Sequence, residues 1–425
     1  LHDPLPSVAQ EASTALWSLC SDGGCAAALL PHVPSLLPHA LAALRAPALG
    51  RAAEALVHAL VRLLVRLPSA DLAAPLATLS AAIAEQLASA RDAAAASAAS
   101  PPRTPPRKQP NRPGGAAPAA DVESVAAGAA RRLRAAIKFL DAAPPLPDGS
   151  HAVVCVLGEC WGPLEALRQT AAALPAAEAE EVRLELCATY ESAVRAAGRG
   201  EGSHPLAPLL SQLAAALGDI LRAGWPAAPP SPAAAPTAER TFGTPRTRTT
   251  TGAAGGPDGG SAGAALRAYA TLFEQFGRLP EAAGRLGPLL EELSAAIGQP
   301  LCDGTRLAAT PELGAHWLEL LHRAAIFCAP ALLDRPAVLA TALHLAAAAL
   351  RLPNRETIRS ACVLLSRIAS TADDAQLPPA TLATLAPALI AALVAAVATH
   401  APPELLPRVA DALRALLERC GAAAA

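Results

Sequence analysis

The sequence predicts an all-α protein, an α-solenoid superhelix of HEAT-like antiparallel helix pairs. Three observations carry that expectation. Alanine supplies most of an apolar content of 52%, while aromatic residues make up only 3%. Alanine is the best helix former, and its small side chain lets helices approach closely. Valine and isoleucine are scarce, and no stretch alternates with period two for long, whereas apolar residues recur three and four apart. Proline-bearing joints then cut the chain into roughly fourteen to sixteen helix-length pieces, at about forty to forty-five residues per pair, which is the HEAT period. Such pairs need no single core, because each buries its apolar face on the next.

Taken in order, Val8–Cys20 reads as a first helix, closed by Ser21-Asp22-Gly23-Gly24. Pro34–Arg45 and Gly50–Arg66 follow, then a turn at Leu67–Asp71 in which Ser69 or Asp71 can cap the helix Leu72–Ala99. Residues 100–120 are rich in proline and offer no apolar face, so a disordered insertion is expected, made basic by Arg103, Arg107, Lys108 and Arg112. Helices are expected at Asp121–Leu140, with Asp121 as cap and its arginines and Lys138 on the polar side, and at His151–Leu174, kinked near Gly158 or Pro163. Glu180–Gly200 and Pro205–Arg222 come next. Residues 225–263, rich in Pro, Gly, Thr and Ala, read as a second disordered insertion. Beyond it helices run at Ala264–Arg278, Glu281–Ile297, Glu312–Cys328, Pro330–Leu350, Arg355–Ile368, Pro379–Thr399 and Glu404–Cys420. Their joints are short, which makes neighbours antiparallel. The HEAT-like parts are therefore residues 1–99, 121–224 and 264–425.

Composition also bears on function. A net charge of -2 gives no general electrostatic case for direct nucleic-acid binding. Nine cysteines, an odd number set mostly among apolar helical residues, suit reduced thiols better than a disulfide framework. No histidine or second cysteine pair completes a zinc site around Cys20/Cys25 or Cys155/Cys160, so no metal is expected. Residues 380–401 carry no charged side chain and are long enough to span a bilayer, but their apolar content is largely alanine. A buried solenoid helix is the preferred reading there, with no membrane partner. The run Gly255–Gly260 lacks the lysine and the spacing of a phosphate loop, and no hydrolase, zinc-protease or kinase signature occurs. His316 and His322, six apart, fall on different faces of a helix, and the four tryptophans are too dispersed for a stacking platform. The expectation is a binding protein, not an enzyme, with no cofactor. The chain contains no methionine, and Leu1-His2-Asp3 does not look like a natural start, so a fragment lacking its upstream part is expected.

The stretch Glu180–Gly200 organises the binding hypothesis. Val182, Leu186, Tyr190, Ala193 and Ala197 form one apolar face, while Glu185, Glu191, Arg195 and Arg199 lie off it. Gly198 and Gly200 are candidates to close the helix.

Several segments then resemble, in order, the importin-β superfamily of nuclear transport receptors, and within it the transportin-three and importin-thirteen branch. They are Glu11–Cys20 (EASTALWSLC), Arg51–Leu56 continuing to Leu63–Pro68, Ala193-Val194-Arg195 with Gly198-Arg199-Gly200, Pro353-Asn354-Arg355, and Pro403–Pro407. Their collinearity is the signal. The resemblance implies the C-terminal, cargo-binding part of a karyopherin that carries protein cargo through the nuclear pore. Ran GTPase and nucleoporins would then be partners of the full-length protein, and the chain would work in cytoplasm and nucleus. In the transportin-three type, the corresponding helix bears an arginine ladder for arginine/serine-rich splicing factors, favouring their phosphorylated form. The matching positions here are Glu185, Ala188, Glu191 and Arg195, with Arg199 one turn on. Two glutamates there would repel a phosphate and attract the arginines of an unphosphorylated segment. A non-transport HEAT or armadillo-type scaffold, such as a tubulin- or phosphatase-associated protein, is the alternative.

Overall fold

The structure is a computed structural model that describes residues 6–45, 52–99, 124–198, 204–225, 259–371 and 379–424. The insertion expected at residues 100–120, most of that at 225–263, Asp121, Arg199 and Gly200 lie outside the described residues. Contacts divide the chain into two compact units, Leu1–Leu217 and Gly218–Ala425. All regular structure among the described residues is helical.

In the first unit the helices are α1 (Pro6–Ser21), α2 (Gly23–Leu29), α3 (Val33–Leu44), α4 (Ala52–Leu64), α5 (Ser69–Ala99), α6 (Val125–Ile137), α7 (Ala152–Ala171) and α8 (Ala176–Ala196). They stack in two rows. One row is α1, α4, α6 and α8, each packed on the next; the other is α3, α5 and α7. Chain neighbours such as α5 and α6, or α7 and α8, join the rows. Every second helix therefore belongs to the same row, which is the solenoid arrangement. Alanines make the rows close: Ala59, Ala127, Ala129 and Ala130 have no exposed surface. Leucines such as Leu56, Leu72, Leu87 and Leu186 fill the seam between the rows, each contributing roughly 1.5–3 kcal/mol on burial. The ninth helix, α9 (Leu210–Gly224), runs across the boundary between the units.

The second unit repeats the pattern. Its helices are α10 (Gly260–Phe276), α11 (Pro280–Leu293), the short α12 (Gln299–Leu301) and α13 (Gly304–Ala309), α14 (Pro311–Phe327), α15 (Ala329–Leu333), α16 (Pro336–Ala349), α17 (Arg355–Thr371), α18 (Pro379–Thr399) and α19 (Leu406–Ala424). One row is α10, α14, α17 and α19; α16 and α18 pack together in the other. Trp317 of α14 is fully buried. Helix α11 passes into a π-helical turn, Ser294–Gly298, where the tight fit of Gly298 against Trp317 and Thr341 leaves little room for a side chain.

Local chemistry sets the boundaries. Asp22 accepts the Cys25 N–H at 2.8 Å and starts α2, so Gly23 and Gly24, expected in the turn that closes α1, open a helix instead. The cap of α6 is Ser124, whose hydroxyl accepts from the Ala127 N–H, rather than Asp121. Asn354 accepts the N–H groups of Glu356 and Thr357, both at 3.0 Å, and opens α17. Prolines stand in the first turn of α11, α14, α15 and α16, where a missing N–H costs nothing.

Three expectations change. Helix α10 begins at Gly260, four residues before the expected Ala264, because Ser261 and Ala262 are buried directly over Gly224 and packing outweighs the weak helix propensity of glycine. The stretch expected as one helix from Pro330 to Leu350 breaks at Asp334-Arg335, just before Pro336; there the Arg335 Nε meets Glu291 at 2.9 Å. Helix α7 runs unbroken through Gly158 and Pro163.

The apolar segment 380–401 falls in α18, where Leu389, Ala392, Leu393 and Ala396 are buried while Val394 and Val397 are exposed. By length and composition Gly23–Leu44 would also suffice to cross a membrane. Here it is interrupted by a 3-10 turn at Leu30–His32, and Val33, Leu37, Leu41 and Leu44 are buried.

Candidate functional site

Helix α8 carries the residues that the sequence singles out. Its apolar stripe, Val182, Leu186, Tyr190, Ala193 and Ala197, is buried throughout. Gly198 follows it with φ +68°, a left-handed conformation that glycine adopts without strain. The Tyr190 ring lies 6.0 Å from that of Trp161 on α7, which fixes the roll of α8 against the second row.

That roll separates the candidate residues. Glu185 turns toward α6. Its carboxylate stands 3.2 Å from the Arg131 guanidinium and 3.0 Å from that of Arg134, with 16% of its side chain exposed. Arg131 also meets Glu181 at 3.3 Å. Thr189, buried between the helices, donates to the Ala130 carbonyl at 3.2 Å. Glu185 thus ties α6 to α8. One to three turns on, Ala188, Glu191, Ser192 and Arg195 face a cavity of about 440 Å³. Glu191 and Arg195 are joined to each other at 2.6 Å, and Arg195 is 63% exposed.

The opposite walls come from α4, α6 and the 3-10 turn that follows α6. Helix α4 contributes Glu54 and His58. Helix α6 contributes Arg134 and Lys138, and the 3-10 turn Leu140–Ala142 contributes Asp141. The signal was present: Glu54, His58 and Arg62 recur every four residues and so form one polar stripe along α4. His58 sits edge-on to the Phe139 ring, with centroids 5.3 Å apart. The Arg62 guanidinium lies 4.3 Å over the same ring, and the Lys138 ammonium lies 5.7 Å from it. Burial, and then the charges of Lys138, Arg134 and Arg62, hold the His58 pKa at about 4, so the ring is neutral at pH 7. The three charges that act on it are all cations.

What this arrangement offers is recognition. Four elements place both signs of charge around a polar hollow that is open to solvent, and half-buried ion pairs tie α6 to α8 beside it. No family model and no curated protein matches the sequence.

The chain is similar to the crystal structure of importin beta in an ammonium sulfate condition. The identity is 13% and the TM-score 0.39; the match covers 98% of this chain and 53% of that one. The chain therefore spans about half the length of that structure.

Elsewhere, the histidines of α14 go to separate partners: His316 lies 3.1 Å from Arg267, and His322 lies 3.7 Å from Glu319. His204, just before α9, is 2% exposed; its Nδ1 accepts the Leu206 N–H at 3.1 Å, and burial holds its pKa at about 4. None of the nine cysteines is in a disulfide, and burial pushes Cys160 and Cys362 up to about 12.

Proposed function

We propose that this chain is a protein-binding solenoid of the karyopherin type, which carries a protein cargo between cytoplasm and nucleus under the control of Ran. One observation carries the reading. The five segments that resemble the importin-β superfamily fall on α1, α4 and the end of α8 in the first unit, and on the starts of α17 and α19 in the second. Within each unit those helices belong to a single row. Segments picked by sequence order alone would be expected to fall on both rows. Their placement on one row within each unit supports a face built the same way in each. Arginine/serine-rich splicing factors enter as cargo only in their unphosphorylated form, since Glu191 lines the cavity and Glu181 and Glu185 together neutralise Arg131 and Arg134 beside it. Nucleoporins would be partners of the same face-bearing solenoid, with no catalytic step and no cofactor.

The test is retention of the full-length native protein on immobilised Ran. The expected result is binding to Ran loaded with GTP and release from Ran loaded with GDP. Binding that ignores the nucleotide, or no binding, overturns the transport reading and leaves a scaffold of another kind.

A further inference from the structure

The first unit holds a second cavity, and the charge in its wall has one sign only. It measures about 490 Å³ and lies between the last turns of α5, the start of α6 and the start of α8. Pockets of about 300–1,000 Å³ are the size that takes a ligand. Ala90, Ala93 and Ala94 of α5, Ala126 of α6 and Ala177 of α8 line it with methyl groups. Its charged side chains are Glu178 and Glu181, and among the described residues no cation lines it.

The two carboxylates are not equally committed. Glu181 meets Arg131 at 3.3 Å through one oxygen, and Arg131 is shared with Glu185 at 3.2 Å. Glu178 meets no cation among the described residues; its partner there is the Ser124 hydroxyl, which donates to it at 3.1 Å. Ser124 is 7% exposed and also accepts the Ala127 N–H, so it closes the start of α6 against an anion. Glu178 stands in the first turn of α8, where its full charge outweighs the roughly +0.5 of that helix end. One carboxylate charge is therefore in excess, beside a surface of alanine.

We propose that this cavity is an arginine subsite, which takes one arginine of an unphosphorylated basic peptide segment, its aliphatic stem on the alanines and its guanidinium on Glu178 and Glu181. The proposal rests on the reading of the chain as a receptor for arginine-rich cargo, and adds where an arginine is held. An arginine stem covers apolar surface while its head keeps its charge satisfied. Glu178 and Glu181 are three apart on one helix and so are neighbours on its surface, which lets one planar fork donate to both. A lysine ammonium has no such fork. A phosphoserine next to the arginine would set a dianion against the same two carboxylates. Val125, 59% exposed beside the cavity, offers apolar contact to the residue that follows.

The experiment titrates the full chain with a fluorescein-labelled dodecapeptide of alternating arginine and serine at pH 7.5. Its serine-phosphorylated form, and the same peptide with lysine for arginine, serve as competitors. Glu178→Gln keeps an acceptor for Ser124 but loses the charge, and lowers affinity about five- to tenfold. Ala93→Phe, at an exposed alanine of the wall, fills the cavity and lowers affinity comparably. Circular dichroism checks that both variants keep the fold. Glu281→Gln removes the same charge from an exposed position on α11 in the second unit, and leaves affinity unchanged. Both competitors need at least about fivefold more peptide than the unlabelled parent sequence. The proposal is overturned if Glu178→Gln binds as the parent does, if Glu281→Gln weakens binding as much, or if either competitor matches the arginine–serine peptide. No binding by the parent overturns the subsite together with the arginine-rich cargo, whereas unchanged binding by Glu178→Gln overturns the subsite alone. Retention on Ran is measured separately and is untouched by either result.

Discussion

Removing the Glu185 carboxylate separates two descriptions of α8. On the sequence ladder, Glu185 faces cargo and is dispensable to the fold. In the structure it holds Arg131 at 3.2 Å and Arg134 at 3.0 Å, and its side chain is 16% exposed against 18% and 29% for the two arginines. Glu185→Ala leaves the half-buried Arg134 guanidinium without its ion-pair partner, a loss of about 1–3 kcal/mol. Arg131 retains Glu181 at 3.3 Å, so its share is smaller. The total comes to about 2–3 kcal/mol, below the roughly 3–5 kcal/mol of a fully buried broken pair, because both arginines still reach water. Hydrogen exchange read by mass spectrometry suits a solenoid, which opens in parts. Amides of α6 and α8 should exchange about 30- to 150-fold faster in Glu185→Ala, while those of α14 and α17 are unchanged. The double variant Glu185→Ala with Arg134→Ala should recover part of the loss, giving a coupling of about 1–2 kcal/mol. Exchange within threefold of the parent, with no coupling, would refute the pairing and return Glu185 to the solvent-facing ladder.

Two further outcomes follow from packing and protonation. Gly277→Ala would gain about 0.5–1 kcal/mol from helix propensity alone. Its Cβ, however, would stand 2.8 Å from the backbone of Phe327, so the variant should instead lose about 1–3 kcal/mol in urea unfolding, and any stabilisation contradicts the close approach of α10 to α14. His204 and His58 are both held near pKa 4 in the fold, against an ordinary value of 6.5. As pH falls from 6.5 towards 4, the unfolded chain takes up protons that the fold refuses, so stability must decline across that window. The urea midpoint should drop over it, less steeply in His204→Asn, and a flat profile would disprove the burial of these rings.

Much of the architecture was legible because it is local. The spacing of Val182, Leu186 and Tyr190 places them on one face, and all three are buried. The short joints gave antiparallel neighbours, and Gly198 ends α8 in the conformation that glycine favours. What escaped the sequence depends on partners far along the chain. Nothing around Glu185 signals that Arg131, fifty-four residues earlier, will claim it. Periodicity fixes a helix face only to within a turn, and the Tyr190–Trp161 contact decides the remaining rotation. His58 was overlooked because a single histidine carries no pattern; its neighbours Glu54 and Arg62 show its meaning only once α6 is laid beside α4. Gly260–Gly263 read as loop because propensity was weighed without the burial of Ser261 and Ala262.

The two-row stacking also bears on synthesis. In the second unit each helix of the first row begins about fifty residues after the one it packs on. At roughly 5–20 residues per second, an emerging apolar face waits about 3–10 s for its cover. In the first unit α4 must wait for α6 through the whole of residues 100–123, so its exposure is longer by nearly half. Shortening that connection would let the ribosome deliver α6 sooner, and would change the yield of folded chain.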